Sequence, residues 1–177
     1  MSARHSSCIS REITALIGAF VETIEEGLAR FPAEDRAGVA VVLSAPSLPQ
    51  RVIAAGDPYE QQFRAMAVAV AARLGDRASP TRVAFQSQGM TGDAWLGPDL
   101  PATFAELAAA GVRDVLVAPI GFVADHVETL YDLDLEAPAL AEKAGLRRFE
   151  RAPAANARPK LVDALEAIAR RALGLTR

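Results

Sequence analysis

Cysteine is the scarcest reactive residue of this chain. One cysteine, Cys8, occurs among 177 residues. A single thiol cannot close an internal disulfide, and an iron–sulfur cluster needs several thiolates. We therefore expect a protein of a reducing compartment, the cytoplasm, with no iron–sulfur cluster.

Long apolar runs and an excess of basic charge are missing too. No segment reaches the roughly eighteen consecutive apolar residues of a membrane-spanning helix, and residues 1–10 lack the apolar core of a signal peptide. The 19 basic residues are outnumbered by 22 acidic ones and form no long run, which argues against a nucleic-acid partner. The densest basic cluster, Arg147, Arg148 and Arg151, is interpreted as ordinary surface charge.

Helix and strand patterns alternate along the chain. Apolar residues at three-to-four spacing predict an amphipathic helix over residues 13–31, and a β-branched run predicts a buried strand at 39–44. The remaining pattern predicts strands at 82–86, 115–119 and 146–150, and helices at 58–75, 101–110, after residue 121, before Gly145 and at 159–173. Parallel strands need crossover connections. The chain is therefore predicted to be an α/β protein of three αβα layers around a parallel sheet of about four strands.

Residues 121–136, GFVADHVETLYDLDLE, carry the densest acidic pattern. On a helix, Asp125, Glu128 and Asp132 fall at i, i+3 and i+7 and share one face, which Glu136 extends. One interpretation is a solvated acidic face; the other is a site that faces a cation or a proton. The segment follows a predicted strand, and ligands of parallel sheets gather at the carboxyl ends of strands, which favours a site.

Five motifs follow one another along the chain: VVLSAPSLP (41–49), GDPY (56–59), FQSQGMTGDAWLGPD (85–99), the acidic motif at 121–136, and RAPAANARPKLVDAL (151–165). In this order they resemble the motifs of ferrochelatases, the enzymes that insert ferrous iron into a porphyrin. The resemblance implies a chelatase-like fold for residues 13–177, preceded by a flexible segment at 1–12. It covers only the carboxyl half of the family's length, so a separate amino-terminal half or a homo-oligomer would have to complete a porphyrin cleft.

The resemblance also assigns roles to the acidic motif. It makes Glu128 the catalytic and metal-binding group, with Fe²⁺ as a substrate and no permanently bound cofactor. Asp125, Asp132 and Glu136 could pass protons or metal along the row. On an undistorted helix, His126 would lie about 200° from Glu128, so we expect it to support the site rather than to share an ion with Glu128.

The motif at 85–99 suggests further contacts with the porphyrin. Gln86 and Ser87 end a predicted strand and point toward the expected cleft. Trp95 either stacks on the porphyrin or packs on the protein. The form of this motif favours coproporphyrin over protoporphyrin. In GDPY, Asp57 and Tyr59 are interpreted as turn and helix-cap residues.

One departure from the family motifs bears on activity. The family's metal-site histidine, in S-A-H-S-L-P, stands here as Pro46, which has no lone pair for a metal. Three interpretations stay open: a chelatase completed by a second half, an inactive relic that binds a tetrapyrrole or metal or partners a complete enzyme, and a fragment without activity.

Overall fold

A computed structural model describes residues 11–78, 80–89 and 92–175. Within these ranges helices and strands alternate as the sequence predicts. The elements are α1 (Arg11–Leu28), β1 (Val39–Pro46), α2 (Gln50–Ala54), α3 (Tyr59–Leu74), β2 (Thr81–Gln86), α4 (Leu100–Ala109), β3 (Asp114–Ala118), α5 (Val127–Leu130), a π-helical turn (Tyr131–Glu136), α6 (Ala137–Lys143), β4 (Arg148–Arg151) and α7 (Pro159–Ala172).

The four strands form one parallel sheet in the order β2-β1-β3-β4. Strand β1 is buried at seven of its eight positions, as a strand covered on both faces requires. One face packs on α1 and α3, where Phe20, Ile24 and Val70 meet the odd-numbered residues of β1. The other face packs on α4 and the π-helical turn, through Phe104 and Leu133. The predicted three-layer αβα fold is confirmed.

Several predicted boundaries differ from the structure. Helix α1 ends at Leu28 and not at residue 31, because the chain turns before Pro32 while Phe31 still packs into the core at 1% exposure. Strand β4 starts at Arg148 and not at residue 146. Leu146 is buried like a strand residue, but it lies before the strand. The short helix α2 was not predicted. Residues 1–10 of the predicted flexible segment lie outside the described residues, and residues 11 and 12 belong to α1.

The sheet order creates a crevice between β1 and β3. The connection after β1 runs to β2 on one side, and the next connection crosses back to β3 on the other side of β1. Such a switch point opens a crevice at the carboxyl ends of the two strands. Here Gly121, just beyond β3, donates its N–H to the Ser44 carbonyl at 2.9 Å. The chain that leaves β3 therefore lies directly against the end of β1.

Candidate functional site

The residues predicted to act in the site gather where the strands end, which we call the carboxyl edge. Pro46 is the last residue of β1 and pairs in register with Gln86, the last residue of β2. The acidic motif follows β3, and Arg151 ends β4. A parallel sheet therefore brings together four chain segments that are far apart in sequence.

Asp125 does not share a helical face with Glu128, so this prediction is wrong. Helix α5 begins at Val127, and His126 is its N-cap with extended backbone angles. Asp125 precedes the cap, and its carboxylate accepts hydrogen bonds from Arg151 and Asn156. The Arg151 side chain is only 17% exposed, which also corrects its interpretation as surface charge.

His126 and Glu128 lie side by side, contrary to the opposite sides expected on a continuous helix. The His126 Nδ1 accepts a hydrogen bond from the Glu128 backbone N–H at 3.3 Å and lies 4.0 Å from the Glu128 Oε2. Both side chains are more than half exposed, at 56% and 64%. The pairing arises because a capping residue turns its side chain back over the first helical turn. An imidazole and a carboxylate are thus neighbours at the start of α5, in the segment that follows β3.

A π-helical turn follows, and the sequence analysis did not foresee it. The only local signal is Pro138, which cannot donate to the carbonyl of Asp134 and whose ring would clash with it in a regular α-helix. A widened turn relieves that clash. The Asp132 and Glu136 side chains then line one cleft of about 230 Å³ together with Gln86 and Ser87.

This cleft unites four of the predicted residues. Ser87 adopts a positive φ of 57° and donates its hydroxyl hydrogen to the Asp132 carboxylate. Gln86 is 5% exposed, and its side-chain amide has no hydrogen-bond partner among the described residues. Glu128 does not line the cleft, so the acidic positions of the motif do not form one site.

Trp95 packs against its own loop. A Cβ atom added at Gly89 would lie 2.9 Å from the indole Cζ2, so the ring occupies the space beside that glycine. The Trp95 backbone bridges to Pro49, and Leu96 donates its N–H to the Leu48 carbonyl at 2.9 Å. The loop after β2 is thereby fastened to the chain after β1. Contact between Trp95 and a porphyrin stays a prediction.

Pro46 is held in place from two directions. The Tyr59 hydroxyl donates to the Pro46 carbonyl at 2.7 Å, and burial raises the pKa of that phenol. On the other side, a Cβ atom at Gly121 would lie 2.9 Å from the Pro46 Cδ. Asp57 accepts a hydrogen bond from the Tyr59 N–H at 2.8 Å, as a turn residue does, while the N-cap of α3 is Pro58. The support that Tyr59 gives to Pro46 was not predicted, because a local motif does not show a contact across thirteen residues.

The segment of residues 121–136 also carries exposed apolar residues, and we call this set the apolar wall. It consists of large side chains that are 38–73% exposed, namely Val123, Val127, Leu130, Tyr131 and Leu135. Contiguous exposed apolar surface marks binding or assembly sites. A flat apolar ligand or a second protein surface would fit against it.

Metal ligands are sparse in this arrangement. Over residues 11–78, 80–89 and 92–175, no three His, Cys, Asp or Glu side chains are placed to hold one ion. The His126–Glu128 pair therefore offers at most two donors, the imidazole nitrogen only when it gives up the hydrogen bond from the Glu128 N–H, and leaves the remaining coordination positions to water or to another molecule. In the same part of the chain, no helix is long and apolar enough to cross a membrane.

The three-layer α/β fold has a likeness among solved structures. A putative cobalamin biosynthesis CbiX protein from Marinobacter aquaeolei superimposes with a TM-score of 0.54, over 77% of this chain and 98% of that one. The two chains share 15% identity, so this likeness concerns the fold alone.

Sequence comparison identifies the family. The ferrochelatase family model matches residues 12–173. The ferrochelatase of Herpetosiphon aurantiacus is 48% identical over 145 residues, which are 82% of this chain and 47% of that protein. The coproporphyrin III ferrochelatase of a Geobacillus species is 39% identical over 86% of this chain and 48% of its own length. The chain belongs to the ferrochelatase family, and it spans about half the length of these relatives.

Proposed function

We propose that this domain supplies the metal-handling side of a ferrochelatase cleft, at which ferrous iron is inserted into a porphyrin in haem biosynthesis. The observation that carries the proposal is the His126–Glu128 pair, which is exposed in the segment after β3 and has the exposed apolar residues Val127 and Leu130 beside it in sequence. The wall suits the face of a macrocycle, and the pair suits a metal that must be delivered to its centre.

Metal insertion exchanges one Fe²⁺ for two pyrrole protons. The Glu128 carboxylate can bind the incoming ion or accept a departing proton, and the His126 imidazole can assist either step. Asp132 and Glu136 extend the acidic surface into the neighbouring cleft, where they can relay protons or metal. Two exposed donors bind an ion weakly, which suits a substrate that has to be released to the porphyrin.

The opposite side of the cleft has to come from elsewhere. This chain matches only about half of its relatives' length, and Val127, Tyr131 and Leu135 are left exposed. We propose that a separate amino-terminal half or a second copy of the chain covers the apolar wall. Either partner would bury apolar surface and enclose the porphyrin.

Coproporphyrin is the proposed substrate. The preference rests on the motif at 85–99, because overall identity does not discriminate. The Geobacillus coproporphyrin III ferrochelatase and the mitochondrial ferrochelatase of Xenopus laevis are both 39% identical to this chain.

Pro46 favours a second candidate function. With proline at the position where the family motif has histidine, the domain would lack one metal ligand. It would then bind a tetrapyrrole or a metal without turnover, or serve as the partner of a complete ferrochelatase.

The metal assignment can be tested with Co²⁺ as an air-stable stand-in for Fe²⁺. We expect Glu128→Gln to weaken Co²⁺ binding about tenfold, and Asp132→Asn less than about threefold. The Asp132 carboxylate is already engaged by Ser87, whereas Glu128 faces solvent beside His126. Isothermal titration calorimetry measures both effects.

The matched control is Glu166→Gln, a charge loss on the exposed face of α7 where Glu166 pairs with Arg170 at 2.7 Å. This variant should bind Co²⁺ like the unmodified protein. Equal losses in Glu128→Gln and Asp132→Asn would reduce the acidic motif to a diffuse charged surface.

A further inference from the structure

Arg151 occupies an unusual place for a cation. It ends β4, pairs in register with Val117 of β3, and so stands next to the strand from which the acidic motif leaves the sheet. Its guanidinium donates to both carboxylate oxygens of Asp134, at 2.6 and 3.1 Å, and to Asp125 at 3.2 Å. One mostly buried arginine therefore binds two carboxylates that lie nine residues apart.

Asn156 completes this arrangement from the segment that follows β4. Its side-chain N–H donates to the free oxygen of Asp125 at 2.8 Å, and its side-chain oxygen accepts from the Asp125 backbone N–H at 2.9 Å. The backbone N–H of Asn156 also donates to the Val123 carbonyl at 2.8 Å. We call Arg151, Asn156, Asp125 and Asp134 the clasp.

The clasp fastens the chain on both sides of the candidate metal pair. Asp125 directly precedes His126, and Asp134 lies in the π-helical turn after Glu128. Asp134 lines a separate cleft of about 210 Å³ with Arg151, whereas Asp132 and Glu136 line the cleft beside Ser87. Within the π-helical turn, the Asp132 and Glu136 carboxylates thus lie at one cleft and the Asp134 carboxylate lies at another.

We propose that Arg151 is a positioning residue for metal binding at Glu128, an inference that rests on the proposed function. The guanidinium group of Arg151 holds the Asp125 and Asp134 carboxylates away from the crevice. It also fixes the backbone that carries His126 and Glu128. The metal ion therefore binds mainly at Glu128. Without the guanidinium group, five carboxylates within twelve residues would compete for the same cation, those of Asp125, Glu128, Asp132, Asp134 and Glu136.

The geometry of the guanidinium group explains why arginine is needed at position 151. A planar guanidinium binds two carboxylates through fixed parallel donors, whereas a lysine ammonium acts as a point charge. Arg151→Lys should therefore retain part of the clasp, and Arg151→Gln should release both carboxylates. The difference between these two variants separates geometry from charge.

The test measures how strongly Co²⁺ binding depends on Glu128 in two backgrounds. In the protein with Arg151 intact, we expect Glu128→Gln to weaken Co²⁺ binding about tenfold. In the Arg151→Gln background, the same substitution should weaken Co²⁺ binding less than about threefold. Asp125 and Asp134 would then bind the ion in place of Glu128. In the Arg151→Lys background the loss should fall between these values. The matched control is Arg82→Gln, which breaks the surface pair with Glu106 at 2.8 Å and should leave the loss at its native value.

Hydrogen exchange of the amides in residues 127–136 gives a readout that does not involve metal. Exchange should accelerate in Arg151→Gln and stay unchanged in Arg82→Gln, because only the former releases the π-helical turn. If Arg151→Gln fails to fold, Asp134→Asn removes one partner while Asp125 keeps Arg151 paired. Exchange should then accelerate by a smaller factor, and the loss caused by Glu128→Gln should stay near its native value because no carboxylate is released.

The outcomes separate the two proposals. A full tenfold loss in the Arg151→Gln background, or unchanged exchange, would overturn the clasp while leaving the metal assignment intact. No loss in the native background, with exchange accelerated in Arg151→Gln, would overturn the role of Glu128 in metal binding and with it the role of the clasp there. The clasp would then only stabilise the turn.

Discussion

Pro46→His is expected to raise the affinity for Co²⁺ by about 1 to 3 kcal/mol, roughly fivefold to 150-fold. Position 46 ends β1 on one side of the crevice, and the chain that carries His126 and Glu128 leaves β3 on the other. Because Tyr59 and Gly121 hold the Pro46 backbone, an imidazole introduced there would project from a fixed point. It would add a third donor to a pair that now offers two.

Calorimetry measures this gain, and Pro58→His provides the control. Pro58 is exposed at the start of α3, so an imidazole at that position adds the same chemical group away from the crevice. Affinity raised equally by both substitutions would reveal nonspecific binding. No gain from Pro46→His would mean that position 46 does not face the metal pair, and the assignment of Glu128 would have to be withdrawn.

The second large effect is on stability. Gly121→Ala is expected to lower the free energy of unfolding by about 2 to 3 kcal/mol. The new Cβ atom would lie 2.6 Å from the Ala45 Cα, which belongs to the backbone of the central strand, and no side-chain rotation can relieve that contact. Either β1 or the segment after β3 must shift, and the crevice lies between them.

Urea unfolding measures this effect, with Gly38→Ala as the matched control. A Cβ atom at Gly38 meets nothing within 4 Å, so that substitution should change stability by less than about 0.5 kcal/mol. A Gly121→Ala protein as stable as Gly38→Ala would contradict the close approach of the two segments, and with it the described shape of the crevice.

The fold was predictable because its determinants are local in sequence. The β-branched run at 39–44 and the three-to-four spacing of α1 each indicate an element without reference to distant residues. Alternation of such elements then restricts the topology to a parallel sheet. The boundary errors have local causes too, such as Phe31, which is buried from a turn and so mimics a helical position.

The site was only partly predictable because its geometry depends on distant partners. Spacing alone grouped Asp125 with Glu128, but the helix starts two residues later and Arg151 draws Asp125 away. The contact between Arg151 and Asp125 joins residues 26 positions apart, and no pattern in residues 121–136 indicates it. The pairing of His126 with Glu128 was missed for a local reason, because it depends on the residue at which the helix begins. The sheet argument placed the candidate residues at one edge, because strand ends of a parallel sheet meet there, but the cleft that joins Gln86 and Ser87 to Asp132 and Glu136 was not specified.

The central claim, that this domain forms the metal-handling side of a ferrochelatase cleft, is tested most directly by anaerobic insertion of Fe²⁺ into coproporphyrin. The assay would combine this chain with the amino-terminal half of the Herpetosiphon aurantiacus ferrochelatase and follow the absorbance of the metallated product, with that intact relative as reference. We predict that the two halves together form product, that Pro46→His accelerates its formation, and that Glu128→Gln abolishes it. Binding of the two halves without product even with Pro46→His, or a rate unaffected by Glu128→Gln, would contradict the claim.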